Sequence, residues 1–344
     1  MSPTIWSILI TSLSISTIIT MSSHHWMLAW LGLELNTLSI LPITMKPRHP
    51  RATEATMKYF LIQALAATLI LFASTMNAWQ TGLWDITSST HTTTIITMAI
   101  LLKLGTAPVH LWYPEVLLGT TLNTALLIST WQKLAPLSLL YMMHNNLPNK
   151  LLLLAGLLSA LLGGWAGLNQ TQTRKIMAHS SIAHMGWILI ALSITPELTT
   201  LALLTYMIMT TTMFSSLNTS MTKTITDMGT AWSSSPTMTT LTLLTLTSLG
   251  GLPPLTGFMP KLLILNELTM KPLLPTATAL ALASLPSLFF YIRMAYTTTL
   301  TTPPTTTNTE HKWRFKATLA PTHATTTALA LLLMPLSPAL YTTT

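Results

Sequence analysis

The strongest constraint in this sequence is a succession of apolar runs, each about twenty residues long and nearly free of charge, repeated from one end of the chain to the other. Only 7% of the 344 residues are Asp, Glu, Lys or Arg, and half are hydrophobic. That is too little charge to solvate the surface of a soluble domain. Runs of this length fit membrane-crossing helices, which satisfy every backbone polar group internally where water is absent. The expected fold is therefore an all-α polytopic membrane protein. At about 20 residues per crossing, eleven spans are expected: 3–21, 25–44, 54–77, 92–118, 121–142, 149–168, 174–194, 197–220, 237–270, 273–298 and 320–341.

The first run, Met1 to Thr20, has no basic residue before it and no small-residue cleavage site. It reads as a retained span rather than a signal or transit peptide. Cysteine is absent, which excludes disulfides, thiolate zinc sites and Cys-ligated iron–sulfur clusters in this chain. The formal charge of +8 sits in short loop clusters without a nucleic-acid-binding pattern. Anionic lipid headgroups, cardiolipin among them, are the expected counter-charge rather than nucleic acid.

Those clusters also test the threading, because alternate loops must share a side of the membrane. The loops after spans 2, 6, 8 and 10 carry Lys46, Arg48, Arg51, Lys58, Arg174, Lys175, Lys223, Lys312, Arg314 and Lys316, ten of the sixteen basic residues. The opposite loops carry Lys150 and Lys271. The N-terminus is expected on the positive side.

Two spans are interrupted. Span 4 stumbles over Gly105, Pro108 and Pro114, and span 9 over Gly250, Gly251, Pro253, Pro254, Gly257 and Pro260. Proline and glycine at membrane depth free backbone groups that need other partners. With spans 1–5 and 6–10 taken as two five-helix units, the broken helix is fourth in each. Five crossings invert the second unit, the arrangement in which paired broken helices mark a transport path. The expected divisions are residues 1–142, residues 143–298, and residues 299–344 as a polar loop and C-terminal helix.

Depth within the spans singles out the chemistry. Glu34 lies mid-way along span 2, Lys103 along span 4, Lys133 along span 5 and His184 along span 7, and Lys261 follows the break of span 9. A lysine at bilayer depth costs roughly 2.5–3.5 kcal/mol, so such groups are expected to face the bundle interior. A proton path needs groups that exchange protons in the working range. Lysine qualifies because burial and a nearby carboxylate pull its proton affinity in opposite directions, and histidine needs little tuning. Glu34 is the expected switch partner of Lys103. Secondary candidates are His110, Ser180 one turn before His184, Glu115 and Glu267.

Each has a plainer reading. Buried lysines and Glu34 can serve as structural glue, His184 and His110 as helix-contact histidines, and Glu115 and Glu267 as interfacial residues. Arg293 can snorkel. His24 and His25 lack a third metal ligand. The sequence has no Walker motif, dinucleotide fingerprint or cofactor ligand set that could drive a pump.

The motifs GLELNTLSILP around Glu34, KLGTAPVHLWYPEVLLG from Lys103, QKLAP around Lys133, RKIMAHSSIAHMGW around His184 and GGLPPLTGFMPKL around Lys261 together resemble one family. It comprises the mitochondrially encoded, antiporter-like chain 2 subunits of NADH-ubiquinone oxidoreductase, respiratory complex I. The resemblance covers essentially the whole chain. It implies the mitochondrial inner membrane with the positive side facing the matrix, and a place beside other antiporter-like membrane-arm subunits. NADH, FMN, iron–sulfur clusters and ubiquinone are then bound by other subunits, and this chain binds none.

By motif position the resemblance makes Glu34 and Lys103 the switch pair, Lys133 the bridging lysine and Lys261 the lysine of the second broken helix. Longer family members have fourteen helices, and three at the N-terminus have no counterpart here. A partner is then expected to cover span 1 and Glu34, or they are exposed. The implied activity is proton carriage as a non-redox subunit of an H+-translocating NADH:ubiquinone reductase. The alternatives are a stand-alone cation/proton antiporter and a structural spacer of the membrane arm.

Overall fold

A computed structural model of the chain describes residues 2–86, 92–302 and 321–336. Expectations for Lys312, Arg314, Lys316 and the end of span 11 lie outside the described residues. The chain forms two compact units, residues 1–155 and 156–344.

The first unit runs through α1 (Pro3–Ser22), α2 (Trp26–Thr44), α3 (Pro50–Thr81), α4 (Thr93–Leu104), α5 (Trp112–Gly119), α6 (Leu122–Ser129) and α7 (Trp131–Met142). The helix α8 (Asn149–Gly167) carries the boundary between the units. The second unit continues through α9 (Thr173–Ile194), α10 (Pro196–Ser220), α11 (Ile225–Ser234), α12 (Pro236–Gly250), α13 (Phe258–Met270), α14 (Leu274–Leu300) and α15 (Pro321–Leu332).

Seven helices among the described residues are long and apolar enough to cross a membrane: α1, α2, α3, α8, α9, α10 and α14. Spans 4 and 9 are broken where the glycines and prolines fall, giving α4 with α5 and α12 with α13. Span 5 is also broken, which the sequence reading did not anticipate. At Thr130 the backbone leaves the helix (φ −113°, ψ −73°), and the Leu126 carbonyl accepts both the Thr130 N–H at 3.0 Å and the Thr130 hydroxyl at 2.7 Å. The segment after span 8 is more than a loop. Thr224 and Asp227 form a reciprocal capping box that starts the short helix α11.

Serine and threonine are tolerated inside these helices because their hydroxyls return to their own backbone. Ser16 donates to the Leu13 carbonyl at 2.8 Å, Ser181 to Ala178 at 2.8 Å and Thr212 to Met209 at 2.7 Å. Such a hydroxyl needs no partner from a second helix. Large apolar side chains cover the outside instead, as at Ile8 and Leu282. In the second unit α9 is the central element, 89% buried along its apolar window, whereas α1 at the edge of the first unit is 22% buried. Close approach of α8 to α9 depends on Gly186, where a Cβ would lie 2.6 Å from the Gly156 carbonyl oxygen.

Within each unit the loops alternate between two ends. In the first, Ile86 N–H donates to the His24 carbonyl at 3.1 Å and Trp26 N–H to Trp84 at 3.0 Å, joining the segments after α1 and α3. Lys46, after α2, lies 4.7 Å over the ring of Trp6 at the start of α1. In the second unit Thr173 N–H donates to the Lys223 carbonyl at 3.1 Å, joining the segments after α8 and α10. Arg293 donates to the Leu168 carbonyl beside them, and Lys271 reaches Ile194 O at 2.7 Å from the segment after α13.

Candidate functional site

Both long breaks are built on the same local geometry. The helix α4 ends at Gly105 in the left-handed conformation (φ 69°), with Gly105 N–H donating to Leu102 O and Thr106 N–H to Leu101 O, both at 3.2 Å. The helix α12 ends at Gly251 (φ 83°), with Gly251 N–H on Ser248 O at 3.0 Å and Leu252 N–H on Thr247 O at 3.4 Å. This is the glycine stop in which two backbone N–H groups fold back onto the last turn. Its negative dipole end favours a cation. A lysine stands at each.

In the first unit Lys103 occupies the last turn of α4 and is 6% exposed. Gln63 of α3 donates to its backbone carbonyl at 3.3 Å, satisfying one of the carbonyls that the stop leaves open. The Lys103 ammonium has no hydrogen-bond partner among the described residues. It lines a cavity of about 20 Å³ of space open to a water centre, room for a bridging water. Lys133, in the first turn of α7, lines the same cavity, with its ammonium 4.9 Å over the Tyr113 ring. The walls add Asn36, Tyr59, Gln63 and Gln132.

Glu34 stands off from Lys103. Lys58 forms ion pairs with Glu54 and Glu115, at 2.6 and 2.7 Å, whereas Glu34 and Lys103 form none with each other. The expected direct Glu34–Lys103 pair is therefore not closed in this structure. Glu34 is nonetheless the carboxylate whose charge acts on Lys103 and Tyr59 at longer range, and its Oε2 is buried without a hydrogen-bond partner among the described residues. Glu115 is exposed and tied to Lys58 on α3, outside the cavity wall. His110 lies in the break between α4 and α5, buried, and is likewise absent from the wall.

In the second unit His184 and Lys261 line one cavity, again about 20 Å³, with Trp187, Thr205 and Met209. The Lys261 ammonium donates to the Gly250 carbonyl at 2.9 Å and lies 5.9 Å from the centre of the Trp187 ring. His184 packs on Tyr206 with ring centres 5.7 Å apart. Ser180 is fully buried and its hydroxyl donates to Met177 O at 2.8 Å, so it is held by its own helix. Glu267 is half-buried on α13, two turns beyond the lysine, and lines neither cavity.

The sequence reading missed the neutral polar partners. Asn36, Gln63 and Gln132 are amides inside apolar runs, and an amide at that depth signals an interhelical hydrogen bond. Tyr59 and Trp187 carried no comparable signal, since aromatic residues are common in any core.

A multi-pass bundle with two glycine-stopped broken helices, with a buried lysine at the first break and a half-buried one at the second, defines an antiporter-like membrane subunit. The family model for the transmembrane part of NADH:quinone oxidoreductase and Mrp antiporters matches residues 23–286, and that for the NADH dehydrogenase subunit 2 C-terminus matches residues 288–341. The NADH-ubiquinone oxidoreductase chain 2 of Carassius auratus is 53% identical over 347 residues, covering 100% of each chain. The chain belongs to the NADH-ubiquinone oxidoreductase chain 2 family. Its fold is shared with a chain of respiratory complex I from Thermus thermophilus (TM-score 0.81, 24% identity, 96% of this chain and 79% of that one). A chain of the Mrp complex from Dietzia sp. shares it too (TM-score 0.76, 16% identity, 83% and 59%).

Proposed function

We propose that this chain is a membrane-arm subunit of the proton-pumping NADH:ubiquinone oxidoreductase and relays protons through Glu34, Lys103 and Lys133 in its first unit and His184 and Lys261 in its second. The observation that carries the reading is the sharing of cavities. Lys103 and Lys133 face one small cavity lined also by Asn36, Gln63 and Gln132, and His184 and Lys261 face a second, more apolar one of similar size. Protonatable groups a water apart can pass a proton, whereas lipid-facing charges cannot. Glu34 sets the field at Lys103 from a distance. Glu115, tied to Lys58 at the surface, stands outside the relay.

The chain carries no redox centre in this reading. NADH, FMN, the clusters and ubiquinone belong to other subunits, and quinone reduction there drives the relay. The location is the mitochondrial inner membrane, with the N-terminus in the matrix and the basic residues Lys46, Arg48, Arg51, Lys58, Arg174, Lys175 and Lys223 facing cardiolipin-bearing lipid. The recurrence of one glycine stop in α4 and α12 supports the two-repeat organisation. Full-length likeness to chain 2 proteins favours complex I membership over independent antiport, which the shared family model and fold of Mrp antiporters suggest.

Two outcomes separate the readings. Assembled complex carrying Lys133→Met is expected to lose most coupled NADH:ubiquinone turnover while assembling normally. Full turnover and pumping would point to a structural spacer. Sodium-dependent proton movement by the isolated chain in liposomes would point to an antiporter.

A further inference from the structure

The break at Thr130 raises a mechanical question, because Lys133 follows it by three residues. Lys133 lies in the first turn of α7, and its N–H donates back to Thr130 O at 3.2 Å. A helix that starts afresh at a bend does not inherit its rotation from the helix before it. The direction in which a lysine in its first turn leaves the backbone follows that rotation. Contacts of α7 outside α6 therefore help to fix where the Lys133 side chain starts.

Gln132 has the contacts to do this. Its Nε2 donates to Asn36 Oδ1 on α2 at 3.0 Å, and its Oε1 accepts from the Tyr59 hydroxyl on α3 at 3.3 Å. Asn36 and Tyr59 are each only 2% exposed, so neither has bulk water as an alternative partner. Breaking such an amide pair leaves buried donors and acceptors unsatisfied, which is costlier than losing the same bonds in water. The tie is therefore stiff. Consecutive residues on a helix are about 100° apart. Fixing Gln132 toward α2 and α3 turns Lys133 toward Tyr113 and the cavity it shares with Lys103.

We propose that Gln132 is a positioning residue for Lys133, clamping the first turn of α7 to α2 through Asn36 and to α3 through Tyr59. It neither gains nor loses a proton. It also couples the lysine's placement to α2, the helix that carries Glu34 two residues before Asn36. The inference rests on the relay reading of Lys133.

The test compares Gln132→Leu, Lys133→Met and the double variant in the assembled complex, reading coupled turnover per assembled complex and its pH profile. Gln132→Leu is expected to lower turnover roughly tenfold through misplacement and to shift the pH profile. In the Lys133→Met background the same change should cost nothing further, because its effect passes through the lysine. An unchanged pH profile in Gln132→Leu, or a full additional loss in the double variant, overturns the proposal. Full activity in Lys133→Met alone overturns the relay reading instead. Where Gln132→Leu does not assemble, Gln132→Asn keeps the amide but shortens its reach by one methylene. A shifted profile there supports the proposal and an unshifted one overturns it.

Discussion

The Lys261 ammonium of α13 donates to the Gly250 carbonyl of α12 at 2.9 Å, bridging the two halves of a broken helix. A lysine held by a helix C-terminus is stabilised by the dipole and by one carbonyl, without a carboxylate. Such a hold is weak enough to be released. It also makes the neighbouring glycine specific.

A Cβ on Gly251 would lie 3.0 Å from Lys261 Nζ, and the residue sits at φ 83°. Gly251→Ala is expected to cost roughly 1–2 kcal/mol for the left-handed backbone and to push the lysine off its carbonyl. Coupled turnover should fall while Gly82→Ala, at a left-handed position with nothing within 4 Å, shows the backbone cost alone. Equal activity in the two variants would detach Gly251 from the lysine.

Glu115→Gln is expected to leave coupled turnover near that of the unaltered complex. The carboxylate reaches only Lys58, and Lys58 keeps Glu54 at 2.6 Å. Exposed pairs of this kind contribute little and are screened by salt. Turnover measured at low and high ionic strength checks this.

The α8–α9 contact should be intolerant of volume. Gly186→Val places its side chain against Ser159 Oγ and the Gly156 carbonyl, which a Cβ alone would approach to 2.5 and 2.6 Å. Overpacking of this sort costs about 1–3 kcal/mol. Reduced accumulation of the assembled complex, read on native gels, is the expected outcome.

Acid should loosen α11. Partial burial alone would raise the Asp227 carboxyl, but hydrogen bonds from Thr224 and Lys223 and the Lys223 charge outweigh it and hold the group below the usual carboxylate range. A depressed carboxyl stabilises the folded state fully above its ordinary value of about 3.9, and that stabilisation is lost as pH falls through the lower folded value. The hydrogen-exchange protection factor of residues 225–234, taken against the intrinsic rate at each pH, is expected to stay constant around neutral pH and to fall below about pH 4. In Asp227→Asn it should be lowered already at neutral pH, by a cap's worth of about 1 kcal/mol or less.

Much of this was legible from residue order. Apolar run lengths placed the long spans to within a few residues, because about twenty residues are needed to cross a bilayer and the caps at His25, His49 and Gly82 fall where the runs stop. Gly105 and Gly251 marked the breaks because left-handed backbone is costly for any other residue. The bend at Thr130 was not legible, since threonine is unremarkable in these helices and the bend shows only in its backbone angles. Nor was the separation of Glu34 from Lys103, which depends on how α2 is rotated against α4 and not on either sequence position. Shared cavities are likewise a property of packing. Mid-span depth brought Lys103 and Lys133 into view, but only the fold puts Gln132 and Tyr59 beside them.

The central claim is that Lys103 moves protons rather than holding helices together. The direct measurement is NADH-driven proton uptake by vesicles containing the complex with Lys103→Met, at matched amounts of assembled enzyme. Loss of most coupled uptake with normal assembly is the predicted result. Undiminished uptake at undiminished NADH oxidation would contradict it.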